Sequence, residues 1–253
     1  MRRAALWTLA SVAFFAVLVL VWHVIASAQL VSPVFLPSPA RVAAALERGF
    51  LKDTLYAEFL QTVGRMAVGW LFASILAIAA GTLISMSGSL KRYLTPTLEF
   101  LRPLPASATI PLFATMLGLN EQMIITVISF GAIWPTLLAT IHGFGAVDRR
   151  LYEVGGALGL SRLSFVLKIA LPSAAPDILS GMRLSLTIAL ILTVVCEMIA
   201  GTGGLGYWIL NYGRLFRADS LFAGVILLGL IGLTANFFMS RVEIFILRWR
   251  IAH

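Results

Sequence analysis

The amino-acid sequence predicts an all-α integral membrane protein with six transmembrane helices. Of its 253 residues, 60% are hydrophobic and 12% are charged, whereas a soluble domain carries about 25% charged residues. The apolar residues also collect in runs of roughly 20 or more, the length at which an α-helix crosses a bilayer. Lipid is therefore expected to surround most of the chain, which we treat as one transmembrane domain over residues 1–253.

The first apolar run, residues 7–30, is predicted to be a membrane helix. A cleaved signal peptide is the alternative, because the run follows Arg2 and Arg3 and contains the small residues Ala-Ser-Ala at 26–28. Its apolar core covers residues 4–25. Since a signal peptide has an apolar core of roughly 7–15 residues, this length favours a retained helix.

A short interfacial helix is predicted after this span, with Ser38 as its N-cap and Pro39 at its first helical position. The other predicted spans are residues 60–86, 94–117, 122–142, 173–200 and 220–247. The third span contains several prolines, which remove helical hydrogen bonds, so we predict a break at residues 102–105. A glycine- and aromatic-rich loop at 201–219 is expected to hold a short helix over residues 207–216.

The positions of lysine and arginine predict the orientation, because these residues are enriched in the cytoplasmic loops of membrane proteins. With the amino terminus in the cytoplasm, ten of them lie on that side: Arg2, Arg3, Lys91, Arg92, Arg149, Arg150, Arg162, Lys168, Arg248 and Arg250. Five lie on the other side: Arg41, Arg48, Lys52, Arg214 and Arg217. Both termini are therefore expected in the cytoplasm. The net charge of +8 follows from this flanking pattern, which argues against nucleic-acid binding.

A polar segment, residues 143–172, separates the fourth and fifth spans and is placed in the cytoplasm by the same orientation. Asp148 or Arg149 can begin a helix in it, and Gly159 is expected to end or turn that helix. A second helix over residues 163–170 is then expected to stop at Pro172. If the spacing of particular residues within it is disregarded, the segment is typical of an ordinary amphipathic surface loop between two spans.

The spacing within this segment is specific: Glu153, then Gly159 six positions later, then nine residues followed by Ile169, one residue, Leu171 and Pro172. It resembles the EAA loop of ABC importer permeases, whose pattern is E-A-A-x-x-x-G, nine residues and I-x-L-P. The two alanines of that pattern are replaced here by valine and glycine at positions 154 and 155. From here on, residues 143–172 are called the EAA loop.

The resemblance extends over nearly the whole chain. Leu-Pro-Ser-Pro at 36–39, Arg-Pro-Leu-Pro at 102–105 and Gly-Gly-Leu-Gly-Tyr at 203–207 look like the nitrate, sulfonate, taurine and bicarbonate branch of the binding-protein-dependent importers. This implies a type I ABC importer permease fold in the bacterial cytoplasmic (inner) membrane. It also implies three kinds of partner: a second copy of the chain, two ATP-binding subunits, and a periplasmic or lipid-anchored substrate-binding protein.

The resemblance assigns coupling to the ATPase to residues of the EAA loop: Glu153, Ala157, Gly159, Leu160, Ser161, Arg162, Ile169, Leu171 and Pro172. The tip, residues 159–161, would dock in a groove of the ATP-hydrolysing subunit. The sequence contains no G-x-x-x-x-G-K-[ST] pattern, so ATP and Mg belong to that other chain. The protein is therefore expected to be a transport subunit without an ATPase site and without a cofactor of its own.

Candidate residues for the substrate pathway are Arg102, Pro103, Pro105, Met116, Glu197 and Met198. Arg102 lies eleven residues after Lys91, or roughly 16 Å along a helix, which is near the middle of the bilayer. A charge at that depth usually faces a cavity or a partner. Arg102 would therefore meet an anionic substrate or pair with Glu99, and Glu197 would line the cavity or pair with Arg65.

Other polar residues in the spans have structural explanations. Asp177 and Arg183 suggest an ion pair between helices or between copies, and Thr234 and Asn236 suggest hydrogen bonds between helices. For Met116, and for Phe113 beside it, packing is the alternative to lining the pore. The three histidines have no ligand spacing. Residues 201–206 fit G-x-G-x-x-G but follow a membrane span rather than a strand, which argues against a dinucleotide site.

The predicted function is that of the permease subunit of a bacterial ABC importer working as a homodimer. The resemblance favours a small anion such as a sulfonate, a taurine-like compound or another organic anion, ahead of nitrate and bicarbonate. A neutral or cationic compound related to thiamine precursors is the alternative cargo. The alternative classes are a channel or secondary transporter, which would need no ATPase, and an intramembrane enzyme, which would need catalytic pairs that the sequence does not display.

Overall fold

The computed structural model describes residues 2–51, 54–101 and 104–249, and within these ranges all regular secondary structure is helical. The α-helices are α1 (Arg2–Ser27), α2 (Pro39–Leu51), α3 (Leu55–Met86), α4 (Gly88–Leu101), α5 (Ile110–Leu117), α6 (Glu121–Gly145), α7 (Arg149–Ala157), α8 (Arg162–Phe165), α9 (Leu171–Ala200), α10 (Leu205–Arg214) and α11 (Ala218–Ile246). A 3₁₀ turn at Ala106–Thr109 precedes α5, and a π-helical turn at Val166–Ala170 joins α8 to α9.

Five helical stretches in the described residues are long and apolar enough to cross a membrane. They are Ala10–Ser27, Leu55–Met86, Glu121–Gly145, Arg162–Ala200 and Ala218–Ile246. They correspond to the first, second, fourth, fifth and sixth predicted spans. The all-helical membrane architecture predicted from the sequence is thus confirmed.

The third predicted span is not one continuous helix. α4 ends at Leu101, and after the non-helical Leu104 and Pro105 the chain continues as the 3₁₀ turn and α5, a shorter apolar stretch. The predicted break is confirmed at these two residues, while Arg102 and Pro103 lie outside the described ranges. The prolines explain the interruption, because each removes a backbone donor from the helical ladder.

The prediction that a helix stops at Pro172 is wrong. α8, the π-helical turn and α9 follow one another without a gap and form a single helical stretch, Arg162–Ala200, of 39 residues. Within the turn the backbone N–H of Leu171 donates to the carbonyl of Val166, a widened i→i+5 bond. Pro172 therefore enters the helix beside a change of hydrogen-bond register, where its missing N–H interrupts the ladder least.

The chain divides into two compact units. One contains residues 1–61 and 203–229. In it, Val42 and Ala45 of α2 are buried together with Ala223 of α11, and the rings of Trp22 and Phe222 stack with centroids 5.9 Å apart. α2 begins as predicted, since the Ser38 hydroxyl accepts a hydrogen bond from the N–H of Arg41 at 3.4 Å.

The other unit contains residues 62–202 and 230–253 and is built on α6 and α9. These helices approach closely at Gly181, where a Cβ atom would lie 2.8 Å from the Pro135 carbonyl oxygen and 3.1 Å from the Thr136 Cα. One turn on, the Ser185 hydroxyl donates to the Ala132 carbonyl at 2.5 Å. Glycine lets the two backbones meet, as small residues do between membrane helices.

Substituting Gly181→Ala is expected to destabilise the protein by about 1–3 kcal/mol, because overpacked side chains force a backbone to move. Gly64→Ala is the matched control. Gly64 also lies inside a membrane helix, but its added Cβ would meet nothing within 4 Å. Thermal unfolding of the detergent-purified variants measures the difference. Equal midpoints for Gly181→Ala and Gly64→Ala would contradict the close approach of α6 and α9.

Candidate functional site: the EAA loop

The EAA loop folds into two short helices whose first turns are capped by side chains. The Asp148 carboxylate accepts a hydrogen bond from the N–H of Arg150 at 2.9 Å, which begins α7 as predicted. The Ser161 hydroxyl accepts one from the N–H of Ser164 at 3.2 Å and begins α8. Each cap satisfies a backbone donor that the helix leaves without an intrahelical partner.

The turn between α7 and α8 is a Schellman motif centred on Gly159. The N–H of Gly159 donates to the Gly156 carbonyl, and the N–H of Leu160 donates to the Gly155 carbonyl, both at 3.0 Å. Gly159 adopts a φ of +63°, a left-handed conformation that only glycine takes at little cost. The prediction that Gly159 ends the first helix is confirmed. The requirement for glycine there comes from the backbone, since a Cβ would meet nothing within 4 Å.

The two helices pack through an aromatic contact, with the ring centroids of Tyr152 and Phe165 4.6 Å apart. Gly155 lies under this contact, because a Cβ there would be 2.6 Å from the Cδ2 atom of Phe165. Gly155, which replaces an alanine of the family pattern, thus leaves space for the ring of Phe165. Phe165 in turn packs on the core of the unit, against buried residues that include Phe144 and Val166. The loop is therefore anchored to the membrane-spanning helices.

The exposed surface of the loop carries both large apolar side chains and basic side chains. Leu158, Leu163 and Leu167 are 68%, 61% and 56% exposed. Four basic residues of the same loop are also exposed: Arg149, Arg150, Arg162 and Lys168. Several exposed large apolar side chains on one polar loop are typical of a segment that binds another protein. These leucines were not predicted from the sequence, although Leu163 and Leu167 share a helical face by their spacing.

The predicted coupling residues occupy different environments in this loop. Glu153, Ala157, Gly159, Ser161, Arg162 and Pro172 are exposed, whereas Leu160, Ile169 and Leu171 are half-buried. Glu153 forms no ion pair with any residue in the described ranges. The exposed members are therefore accessible to a partner.

The described candidates for the substrate pathway differ in their exposure. Pro105 and Met116 are exposed, Met198 is half-buried, and Arg102 and Pro103 lie outside the described residues. Glu197 has no exposed surface, and its carboxylate lies 3.1 Å from Nη1 of Arg65. Of the two interpretations of Glu197, the structure therefore supports the pair with Arg65, and the cavity-lining interpretation is not supported.

This buried ion pair is part of a larger network. Arg65 also pairs with Glu121 and donates to the Thr202 carbonyl at 3.1 Å. The Thr62 hydroxyl donates to the Glu197 carboxylate at 3.0 Å. Glu121 and Thr62 were not predicted from the sequence, because only the folded chain brings α3, α6 and α9 together at this point.

The remaining polar residues of the spans behave partly as predicted. Arg183 on α9 pairs with Glu243 on α11, which confirms an ion pair between helices for Arg183. Asp177 instead lies 3.9 Å from Nδ1 of His142 on α6. The prediction for Thr234 is wrong, since its hydroxyl donates within its own helix to the Leu230 carbonyl at 2.8 Å. A threonine can satisfy its hydroxyl in this way without a neighbouring helix.

Comparison with known proteins identifies the family. Residues 69–246 match the family model described as binding-protein-dependent transport system inner membrane component. The chain is 33% identical over 235 residues to the Bacillus subtilis protein SsuC, named for aliphatic sulfonates transport, covering 93% of this chain and 85% of SsuC. It is 30% identical over 226 residues to TauC, the taurine transport system permease protein of Escherichia coli, covering 87% of this chain and 82% of TauC.

A solved structure confirms the fold. An inward-facing conformation of the MetNI methionine ABC transporter superimposes with a TM-score of 0.67 at 19% sequence identity, covering 76% of this chain and 95% of that chain. The type I importer permease fold expected from the EAA loop is thus confirmed. Permeases of this family lack an ATPase site and work with ATP-binding subunits and substrate-binding proteins. The chain therefore belongs to the family of binding-protein-dependent transport system inner membrane components and is the permease subunit of an ABC importer.

Proposed function

We propose that two copies of this permease form the pathway by which a small organic anion, a sulfonate or a taurine-like compound, crosses the bacterial inner membrane. The observation that carries this proposal is the similarity to SsuC and TauC, whose names specify sulfonates and taurine and which align over 93% and 87% of this chain. Nitrate and bicarbonate are the less favoured anions. A neutral or cationic cargo related to thiamine precursors is an outcome of the test below.

Arg102 is the residue that we propose to meet the anion. It follows the described end of α4 at Leu101 and precedes the non-helical Leu104 and Pro105. A guanidinium binds sulfonate oxygens through paired hydrogen bonds. Backbone groups freed by a helix break add donors and acceptors for the substrate. We also place both termini in the cytoplasm, since the basic residues are concentrated on that side of the predicted spans.

The exposed face of the EAA loop is the surface that we propose for docking the ATP-binding subunit. Within its tip, residues 159–161, Gly159 and Ser161 are small and Leu160 is half-buried, so the tip presents little side-chain bulk to a groove. Leu158 and Leu163 flank the tip as exposed apolar side chains, and burying such apolar surface against a partner favours association. ATP and Mg are bound by the docked subunit, and its movement on ATP binding is carried to the membrane helices through the loop.

The experiment is reconstitution of the permease with its ATP-binding and substrate-binding chains in liposomes, followed by measurement of ATP hydrolysis. The panel contains taurine, an alkanesulfonate, nitrate, bicarbonate and a thiamine pyrimidine. Stimulation by taurine or the alkanesulfonate is the expected result. Stimulation by the thiamine pyrimidine alone would overturn the anionic cargo. Failure of the subunits to assemble would contradict the docking surface that we propose on the EAA loop.

A further inference from the structure

A cavity of about 310 Å³ lies between the end of α3 and the EAA loop. Ser85 and Met86 line it from α3, and its other lining residues belong to the EAA loop. All of them are part of one compact unit. Sites that bind small organic molecules have volumes of about 300–1,000 Å³. The cavity is therefore large enough for a small ligand, and we call it the loop cavity.

The walls of the loop cavity are largely aromatic. The rings of Phe144, Tyr152 and Phe165 line it, and the centroids of the last two rings are 4.6 Å apart. Gly156 leaves space beside them, because a Cβ atom there would meet nothing within 4 Å. Aromatic rings attract one another in offset and edge-on arrangements, beyond the effect of the area that they bury. Such walls favour a ligand that contains a ring.

The Ser85 hydroxyl gives the loop cavity a polar group without a partner. Its Oγ atom is buried and has no hydrogen-bond partner among the residues that the structure describes. By contrast, the hydroxyl of the half-buried Ser173 donates to the Ile169 carbonyl of its own helix at 2.7 Å. A buried hydroxyl normally has a partner, because leaving it unsatisfied costs the free energy of its lost hydration. A polar atom of a ligand in the loop cavity would supply that partner.

The charges around the loop cavity favour an anion. Arg162 lines the cavity and forms no ion pair with any residue in the described ranges. The EAA loop contains two acidic residues, Asp148 and Glu153, and twice as many basic ones: Arg149, Arg150, Arg162 and Lys168. A guanidinium binds a carboxylate through two parallel hydrogen bonds. An unpaired arginine in a loop of net positive charge therefore fits a carboxylate ligand.

We propose that the loop cavity binds a small aromatic carboxylate, whose charge is held by Arg162 and to which Ser85 donates a hydrogen bond. Such a ligand contacts α3 and the EAA loop together and stabilises the loop in the position that this structure shows. A ligand that binds one conformation shifts the equilibrium towards it, so occupancy is expected to slow ATP-driven movement of the loop. This consequence rests on the docking of the ATP-binding subunit in the proposed function, whereas binding does not.

Equilibrium dialysis of the permease in phosphatidylcholine nanodiscs tests the binding. The probe is 2-naphthoate, and the neutral 2-naphthamide has the same rings without the charge. We expect 2-naphthoate to bind about tenfold more tightly, because hydrogen bonds to a charged group are about twice as strong as neutral ones. Equal affinities, or no saturable binding above that of protein-free nanodiscs, would overturn the anion site. Tighter binding of octanoate would overturn the aromatic ligand in favour of a fatty acid from the bilayer.

Two pairs of variants test the placement of the ligand. Arg162→Gln should weaken binding of 2-naphthoate about tenfold and leave binding of 2-naphthamide unchanged. Arg150→Gln is its matched control, since Arg150 is an exposed arginine of the same loop that does not line the cavity. Ser85→Ala should weaken binding about fivefold, and Ser173→Ala is its control because that hydroxyl already has a partner. If a variant and its control lowered the affinity equally, the ligand would lie elsewhere.

ATP hydrolysis by the reconstituted transporter tests the effect on the loop. At a concentration of 2-naphthoate equal to its dissociation constant, substrate-stimulated hydrolysis should fall by about half, since half of the cavities are then occupied. In Ser85→Ala the concentration for half-maximal inhibition should rise about fivefold. An unchanged concentration would show that 2-naphthoate inhibits from another site, and binding without inhibition would overturn the effect on the loop. A transporter that responds to no anion would contradict the proposed function alone, because the dialysis needs only the permease.

Discussion

Replacing Gly159 with proline is expected to separate the permease from its ATP-binding subunits. The native φ at this residue is +63°, whereas proline fixes φ near −65°. Proline also lacks the N–H that donates to the Gly156 carbonyl at 3.0 Å. Together these changes should cost about 3 kcal/mol locally, which corresponds to roughly a hundredfold loss of the native tip conformation. Co-purification with the ATP-binding subunit and substrate-stimulated ATP hydrolysis in liposomes measure the effect.

Gly156→Ala is the matched control for this prediction. Gly156 is also an exposed glycine of the loop whose added Cβ would meet nothing within 4 Å, but it lies inside α7. Alanine is favoured over glycine in a helix by about 1 kcal/mol, so this variant should assemble and couple normally. Normal coupled transport by Gly159→Pro would show that the left-handed turn is not needed for docking.

Removing the Arg65 side chain is expected to have the largest effect on stability. In Arg65→Ala the Glu197 carboxylate, which has no exposed surface, would lose its cationic partner. Breaking a buried pair in this way costs about 3–5 kcal/mol, because the remaining charge stays desolvated. For a chain of this length that corresponds to a fall of about 10 °C in the thermal unfolding midpoint. Scanning fluorimetry of the detergent-purified protein measures it.

Arg48→Ala is the comparison for the Arg65 variant. Arg48 pairs with Asp219 at 3.0 Å, but its side chain is 52% exposed, and exposed pairs contribute less than about 1 kcal/mol. The midpoint of Arg48→Ala should therefore stay within about 4 °C of the parent protein. A midpoint for Arg65→Ala equal to that of Arg48→Ala would mean that Glu197 reaches water or another partner when Arg65 is absent.

The sequence predicted those features that depend on a few neighbouring residues. Ser38 and Asp148 cap helices as their types suggest, and Gly159 ends α7, because caps and left-handed turns are decided locally. The prediction at Pro172 was wrong because the continuation of the helix there is not decided by single residues. A rule about single residues predicts a stop, and the π-helical turn that lets the helix continue is a shift of hydrogen-bond register without a strong sequence signal.

The candidate site was predictable to a similar extent. The spacing from Glu153 to Pro172 located the EAA loop, but the contact of Tyr152 with Phe165 depends on how two helices fold back on each other. The pair of Arg65 with Glu197 was one of the two interpretations of Glu197 that the sequence left open. Choosing between them required the burial of Glu197, which arises from residues 132 positions apart in the chain meeting in the fold.

The continuity of α8 with α9 has a mechanical consequence. At 1.5 Å per residue, the 39 residues of Arg162–Ala200 form a rod about 58 Å long, nearly twice the thickness of the hydrocarbon core. If the chain had a hinge at Pro172, the loop could rotate without rotating α9. In a continuous helix we instead expect a rotation applied at the loop to be carried along its length, and α7 contacts this helix where the ring centroids of Tyr152 and Phe165 lie 4.6 Å apart. A rotation of α7 is therefore expected to turn the middle of α9, including Ser180, Leu184 and Thr187, in the same direction.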